Sequence, residues 1–313
     1  MPDGSNVILL YDGTFEGLMT AVFDSYAFHP APEGVAQVQR CQQLLGREYR
    51  EIMTDNEKAD RVIAGVRRAM GTDAYTKVWR AFLSCDDGKG DAIYRYIRLG
   101  MRIGRRILLR LTDERVMKLD GIDRLVGREA GLLIEFVRFA EMEGGVYYGE
   151  ITPDNDVLPL IMPHFAERFH IQPFILHDKS RRQAGVFDTR EWVLTSTEGM
   201  QLPDYAQGER EYRRMWKAFY NTIAIKERIN PSLRRNHMPK KYWKNMLEMQ
   251  PDLHPDGKEG QPAYPLPSEC RGKGTGLCGQ PPAGHTASLS DRDDLQASET
   301  AIRPARLPPA RKG

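Results

Sequence analysis

The chain has 313 residues, 41% of them hydrophobic and 28% charged, and its 45 Lys and Arg against 43 Asp and Glu leave a formal net charge of only +2. That balance excludes the overall basicity of a histone-like coat but leaves room for a local basic face. Nowhere do eighteen apolar residues follow one another, so no membrane-spanning helix is expected. Four widely spaced cysteines, Cys41, Cys85, Cys270 and Cys278, fit the reduced thiols of a cytoplasmic protein better than a disulfide framework.

Val7 to Tyr11 is a short apolar run that reads as a buried strand, and Asp12-Gly13-Thr14 supplies a turn and a cap before a helix over Phe15 to Tyr26. Tyr49 to Met53 reads as a second strand. Thr54 and Glu57 stand at capping-box spacing ahead of a helix from Asp55 to Met70, which Gly71 ends. Tyr75, Val78, Trp79 and Phe82 recur at helical spacing between Thr72 and Cys85, and Asp86 to Gly90 breaks that helix. Further helices are expected over 91–109 and 113–142. From Val146 the texture changes to short β-prone runs, Val146 to Ile151, Pro173 to His177, Gly185 to Asp188 and Trp192 to Thr195, with a helix around Leu160 to Phe169 between the first two. Helical texture returns from Gly208 to Arg228, and Pro239 opens a final short helix at its first turn.

After Gln250 lie ten of the twenty prolines and a single aromatic residue, Tyr264. Such a segment cannot bury enough apolar surface to offset its conformational entropy. The expected architecture is one largely helical α+β domain over residues 1–250 with a small, mainly antiparallel sheet, followed by a disordered Pro/Gly-rich tail over 251–313.

Two stretches concentrate positive charge. Arg95, Arg98, Arg102, Arg105, Arg106 and Arg110, placed on a single helix, all fall within an arc of about 140°, opposite Ile93, Ile97, Met101, Ile107 and Leu108. Gly100 and Gly104 lie on that apolar side, where a missing side chain allows close packing at a propensity cost of about 1 kcal/mol each. The second stretch, from Asp204 to Lys244, holds eleven Lys or Arg against four acidic residues. On its helix from Glu209 to Arg228, Tyr212, Trp216, Phe219 and Ile223 recur as one core stripe, with Arg210, Arg213, Arg214, Lys217 and Arg228 opposite. Arg234, Arg235 and the block Lys240-Lys241-Tyr242-Trp243-Lys244 follow, where aromatics beside cations offer stacking surfaces for unpaired bases. Guanidinium groups grip phosphate oxygens through paired donors, and each neutralised phosphate releases counterions, so these stripes are the expected footprint of nucleic-acid binding. The competing reading makes each stripe the charged side of an ordinary amphipathic helix and puts Tyr242 and Trp243 in the core.

The sharpest polar cluster outside these faces is His164, Glu167, His170, His177 and Asp178. His164 and Glu167 stand three apart on a helix, and a neighbouring strand ending in His177-Asp178 supplies two further groups of the kind that ligate a metal or serve a hydrolytic centre. No recognised metal-spacing motif is present, so no metal and no cofactor is assigned. Asp12 with Glu16, Lys226 on the apolar side of its helix, and Cys270 with Cys278 and His285 are weaker candidates, each with an ordinary explanation in helix-dipole preference, snorkelling or tail composition. A Walker loop, a dinucleotide fingerprint, a CxxxCxxC radical-SAM motif and a helix-hairpin-helix signature are all absent from the sequence.

Read together, Tyr11 to Asp24, Pro163 to Phe169, Ile175 to Asp178, and Ala224 to Pro231 with Asn236 to Lys244 resemble a bacterial family ascribed to DNA metabolism, over residues 7 to 249. The resemblance implies association with a radical-SAM protein of DNA modification or repair, and related segments occur fused in front of a uracil-DNA-glycosylase-like domain. It brings no catalytic residues with it, and nothing resembling the glycosylase region follows residue 250. The expected function is that of an accessory factor that binds DNA, single-stranded or duplex, through Arg95 to Arg110 and Arg210 to Lys244. The alternatives are a metal-dependent enzyme of nucleic-acid metabolism using His164, Glu167, His177 and Asp178, and a docking scaffold for the radical-SAM partner.

Overall fold

The computed structural model describes residues 5–250 apart from 43, 44, 201, 224, 226, 227 and 229. The expected tail over 251–313, with Cys270, Cys278 and His285, lies outside the described residues, as does Lys226. The described chain is largely helical with two small sheets, the α+β class expected, and clusters into two compact units, 5–135 with 153–164, and 136–152 with 165–250.

The first unit is built on strand β1 (Ser5–Tyr11), which lies between β2 (Pro32–Gln37) and β3 (Glu48–Glu51) and runs parallel to both. Its apolar run has no polar alternation because a central parallel strand is covered on both faces; Leu9, Leu10 and Tyr11 are buried. Burial also pushes the Tyr11 phenol up to about 12. Helices α1 (Phe15–Asp24), α2 (Asn56–Met70), α3 (Thr72–Phe82), α4 (Lys89–Ile103) and α5 (Glu114–Phe136) supply the rest of its core. Strand β2 escapes sequence reading, because Pro32-Glu33-Gly34 interrupts any period-two pattern.

At the turn from β1 into α1, the Asp12 carboxylate accepts the Thr14 N–H at 2.8 Å, the Thr14 hydroxyl at 2.6 Å and the Thr54 hydroxyl at 2.8 Å. Although burial pulls the other way, those donors hold Asp12 below the usual carboxylate range. Thr14 in turn caps α1 by accepting Gly17 N–H at 2.9 Å. With Thr54 occupied at Asp12, the cap of α2 is Asp55, which accepts the N–H groups of Glu57 and Lys58. The expected Thr54 to Glu57 box is therefore replaced by an Asp cap one residue later.

In the second unit β4 (Phe139–Glu141), β5 (Tyr147–Ile151), β6 (Phe174–Asp178), β7 (Gln183–Phe187) and β8 (Trp192–Ser196) pair in chain order. Only the β5–β6 pair is parallel, and its crossover contains α6 (Leu158–Arg168), as the interposed helix required. One face of the sheet holds a phenylalanine cluster, with Phe139 5.2 Å from Phe165 and 5.5 Å from Phe174, and Phe187 5.3 Å from Phe174. Strand β4 occupies the end of the segment expected to be helical to residue 142.

Gly104 ends α4 at φ +65°, ψ −147°, a region open only to glycine, and a Cβ there would stand 3.4 Å from the Ala69 carbonyl oxygen. Replacing Gly104 by Ala is expected to lower unfolding stability by about 1–3 kcal/mol. Gly121→Ala in α5, where a Cβ meets open space, is expected to be neutral or to stabilise by up to about 1 kcal/mol. Chemical denaturation of the two variants checks this, and equal midpoints would contradict the assigned backbone geometry.

Candidate nucleic-acid interface

The turn at Gly104 divides the first arginine stripe. Beyond it the chain continues as a 3₁₀ segment, Gly104–Leu109, so the six arginines do not share one helical face and the expected 140° arc is corrected. Arg95 pairs with Asp91 at 2.7 Å and donates to the Glu33 carbonyl at 2.6 Å, while Arg98 donates to the carbonyl and hydroxyl oxygens of Ser25 at 3.2 Å and lies 4.7 Å over the Tyr26 ring. These two brace α4 against neighbouring elements. Arg102, Arg105, Arg106 and Arg110 are exposed around the break, and they alone of the six present their charge to solvent without such a role.

The second stretch is ordered by anchors. Helix α7 (Glu209–Ile223) rests on the edge bearing Glu209 and Trp216: Glu209 is buried, accepts the Glu141 N–H at 3.1 Å and pairs with Arg213 at 2.9 Å. Arg213 also lies 4.4 Å over Tyr205, and Lys217 donates to the Gln250 carbonyl at 3.1 Å. Helix α8 (Pro231–His237) starts at an Asn230 cap, and 3₁₀ segments Lys240–Asn245 and Leu247–Met249 complete the unit. Tyr242 is buried against Phe136 with ring centres 6.0 Å apart, so it is a core residue and not a stacking surface. Trp243 is half-buried, donates to the Met238 carbonyl at 2.9 Å, and lies beneath the cations of Arg234 and Lys240 at 5.2 and 5.8 Å.

The expected core stripe of α7 is the main correction. Only Trp216 turns inward; Tyr212 and Phe219 are each 51% exposed and Ile223 57%, joined by Met215 at 61%. Arg210 and Arg214 are exposed on the same helix, with Ala218 and Thr222 between the cationic and aromatic flanks. Arg228, Arg235, Lys240, Lys241 and Lys244 are exposed further along the chain. A helix that exposes aromatic rings on one flank and guanidinium groups on the other can stack bases and neutralise phosphates of a strand laid across it.

The His and Asp candidates separate. His164, Glu167 and His170 are exposed on or just after α6. Asp178 is fully buried, pairs with Arg181 at 3.1 Å and accepts the Ser180 N–H at 2.8 Å; burial pushes its carboxyl up despite those partners. His177 faces the other side of β6, as the period of two dictates for adjacent strand residues. Among the described residues no three His, Cys, Asp or Glu side chains are placed to hold a metal ion.

His177 instead joins a network whose other members sequence reading missed. The parallel register sets Glu150 opposite His177, and the Tyr148 hydroxyl lies 2.7 Å from His177 Nδ1 and 3.1 Å from Glu150 Oε1, while Lys179 donates to both Glu150 oxygens at 2.9 Å. One phenolic hydrogen cannot serve both acceptors. With Tyr148 donating to the carboxylate, Nδ1 of His177 carries its own proton and Nε2 keeps the lone pair. Burial first, then Lys179, hold the imidazole below its ordinary pKa, and burial and Glu150 push the Tyr148 phenol up. The i, i+2 spacing of Tyr148 and Glu150 is the only sequence signal for this arrangement, and it needs the register to be read.

The sequence profile of a family described as a domain of unknown function, DUF4130, matches residues 87–248, which run from the start of α4 through the last anchored turn. Comparison with curated proteins returned no match.

Because the unfolded imidazole takes up its proton near pH 6.5 and the folded one only at lower pH, His177 is expected to remove stability as pH falls from about 6.5 through its folded pKa. NMR titration of the His177 ring is expected to give a midpoint below 6.5, whereas a midpoint at or above it would contradict the described environment.

Proposed function

Since the chain belongs to the DUF4130 family, to which no function is attached, we propose that it is a nucleic-acid-binding accessory factor of DNA repair or base modification. The observation that carries this reading is the half-exposed aromatic flank of α7, Tyr212 and Phe219, set on the same helix as exposed Arg210 and Arg214. An ordinary surface helix turns its aromatic stripe to the core; here the core contact is made by Trp216 and Glu209, which frees the rings. Stacking on such rings is worth about 1–3 kcal/mol per base and needs unpaired bases, so the preferred ligand is single-stranded DNA or a strand opened by damage. The cations of α8 and of Lys240–Lys244 extend the positive track in sequence.

The resemblance to DNA-metabolism proteins adds a partner. The radical-SAM protein it implies would supply the cluster chemistry, since this chain lacks the CxxxCxxC ligands, and the present chain would hold the strand. The apolar residues Met215 and Ile223 on the same flank favour a second reading, in which α7 docks that protein directly.

Fluorescence-anisotropy titration of the full-length protein with single-stranded and duplex DNA at several salt concentrations tests the reading. Binding is expected to favour the single strand and to weaken steeply with salt. Arg210→Ala with Arg214→Ala should flatten the log–log salt slope by about 1.4, and Tyr212→Ala with Phe219→Ala should weaken single-strand binding about 30-fold or more with the slope unchanged. Absence of binding at low salt, combined with nuclease-resistant association with the radical-SAM protein, would replace this reading with the docking one.

A further inference from the structure

In the first unit an open groove of about 510 Å³ lies between α3 and α5, lined by Lys77 and Arg80 from one helix and by Asp120, Asp123, Arg124 and Arg128 from the other. Its charges are not equivalent. Lys77 donates to Asp120 at 2.6 Å, and Arg80 grips Asp123 through two bonds of 2.5 and 2.8 Å, with both carboxylates largely buried. Gly127 forms the floor under the Arg80 guanidinium, whose central carbon would lie 3.9 Å from a Cβ at that position. Each pair is neutral in itself, which leaves the exposed Arg124 and Arg128 as an uncompensated charge of +2.

Arg124 and Arg128 stand four apart on α5, where like charges repel by a few tenths of a kcal/mol, and neither has an ion pair among the described residues. Tyr96, whose phenol feels the charges of Asp120 and Asp123, is fully buried with its hydroxyl unpartnered, so the acidic wall of the groove backs onto the core. Pinned acids, a repelling guanidinium pair and a charge excess of two describe a receptor for a doubly charged oxyanion.

We propose that the α3–α5 groove binds a phosphate monoester dianion, bridged by Arg124 and Arg128, with Lys77 and Arg80 held by Asp120 and Asp123 as the fixed wall beside it. The charge excess matches a terminal phosphate or free phosphate and exceeds the single charge of a backbone diester. This site is independent of the α7 reading, because no α7 residue enters it.

Isothermal titration of the full-length protein at low salt uses three probes: inorganic phosphate, adenosine 5′-monophosphate and dimethyl phosphate. The first two are expected to bind at least tenfold more tightly than the diester. Their affinity should rise from pH 5 to 7.5 as the second ionisation near pH 6 completes, and the groove itself contains no histidine to confound that rise. Arg124→Gln with Arg128→Gln, two exposed positions, should weaken both monoester-type probes at least tenfold while the melting temperature stays unchanged. Tighter binding of the nucleotide than of phosphate would identify a nucleotide or a 5′-phosphorylated strand end as the source, and equal binding would identify free phosphate. The proposal is overturned if neither probe binds at millimolar concentration, if the double variant binds as the parent does, or if dimethyl phosphate binds equally well.

Discussion

The C-terminal segment of the second unit depends on one buried carboxylate. Glu248 is 2% exposed at its side chain, pairs with Arg138 at 2.6 Å and accepts the Trp216 indole N–H at 3.4 Å. A charge in that position is tolerated only while its partners remain, and breaking such a pair by removing one side costs about 3–5 kcal/mol. Through it, the last turn is tied to the start of the sheet and to α7, and the burial of Tyr242 and Met246 closes the same joint. The indole contact also sets the rotation of α7. With Trp216 and Glu209 turned inward, Tyr212, Met215, Phe219 and Ile223 are left at the surface.

That rotation gives α7 its chemical character. Had the aromatic stripe packed inward, the outer face would carry only the charged side common to surface helices, and the bland reading of the sequence would hold. Instead Tyr212 and Phe219 stand half-exposed on one flank of the helix, with Arg210 and Arg214, which make no contribution to the anchoring, exposed on the other. The first arginine stripe shows the opposite outcome: Arg95 and Arg98 are engaged in bracing α4, and the break at Gly104 scatters the others.

Element type was well legible where periodicity was strong. The runs at Val7, Val146, Pro173, Gly185 and Trp192 are all strands, and the crossover helix lies between the two strands it had to join. What escaped was non-local. Strand β2 carries no alternating pattern and is a strand because β1 offers it an edge. Gly104 reads as a helical glycine until its positive φ shows that the helix ends there. His177 and Asp178 look like paired ligands in the sequence, yet strand geometry sends them to opposite faces, and the residues that do meet His177 come from another strand through the β5–β6 register. The groove between α3 and α5 was equally hidden, since its two cationic pairs come from helices about forty residues apart in sequence, a separation that periodicity within one helix cannot bridge.

The central claim is that α7 presents its aromatic flank to unpaired bases. Ultraviolet crosslinking of a 5-bromouracil-substituted single strand to the full-length protein, with the adducts located by peptide mass spectrometry, tests it most directly. Adducts on Tyr212 or Phe219 are the expected result. Adducts confined to residues outside α7, in a complex that otherwise forms normally, would contradict it.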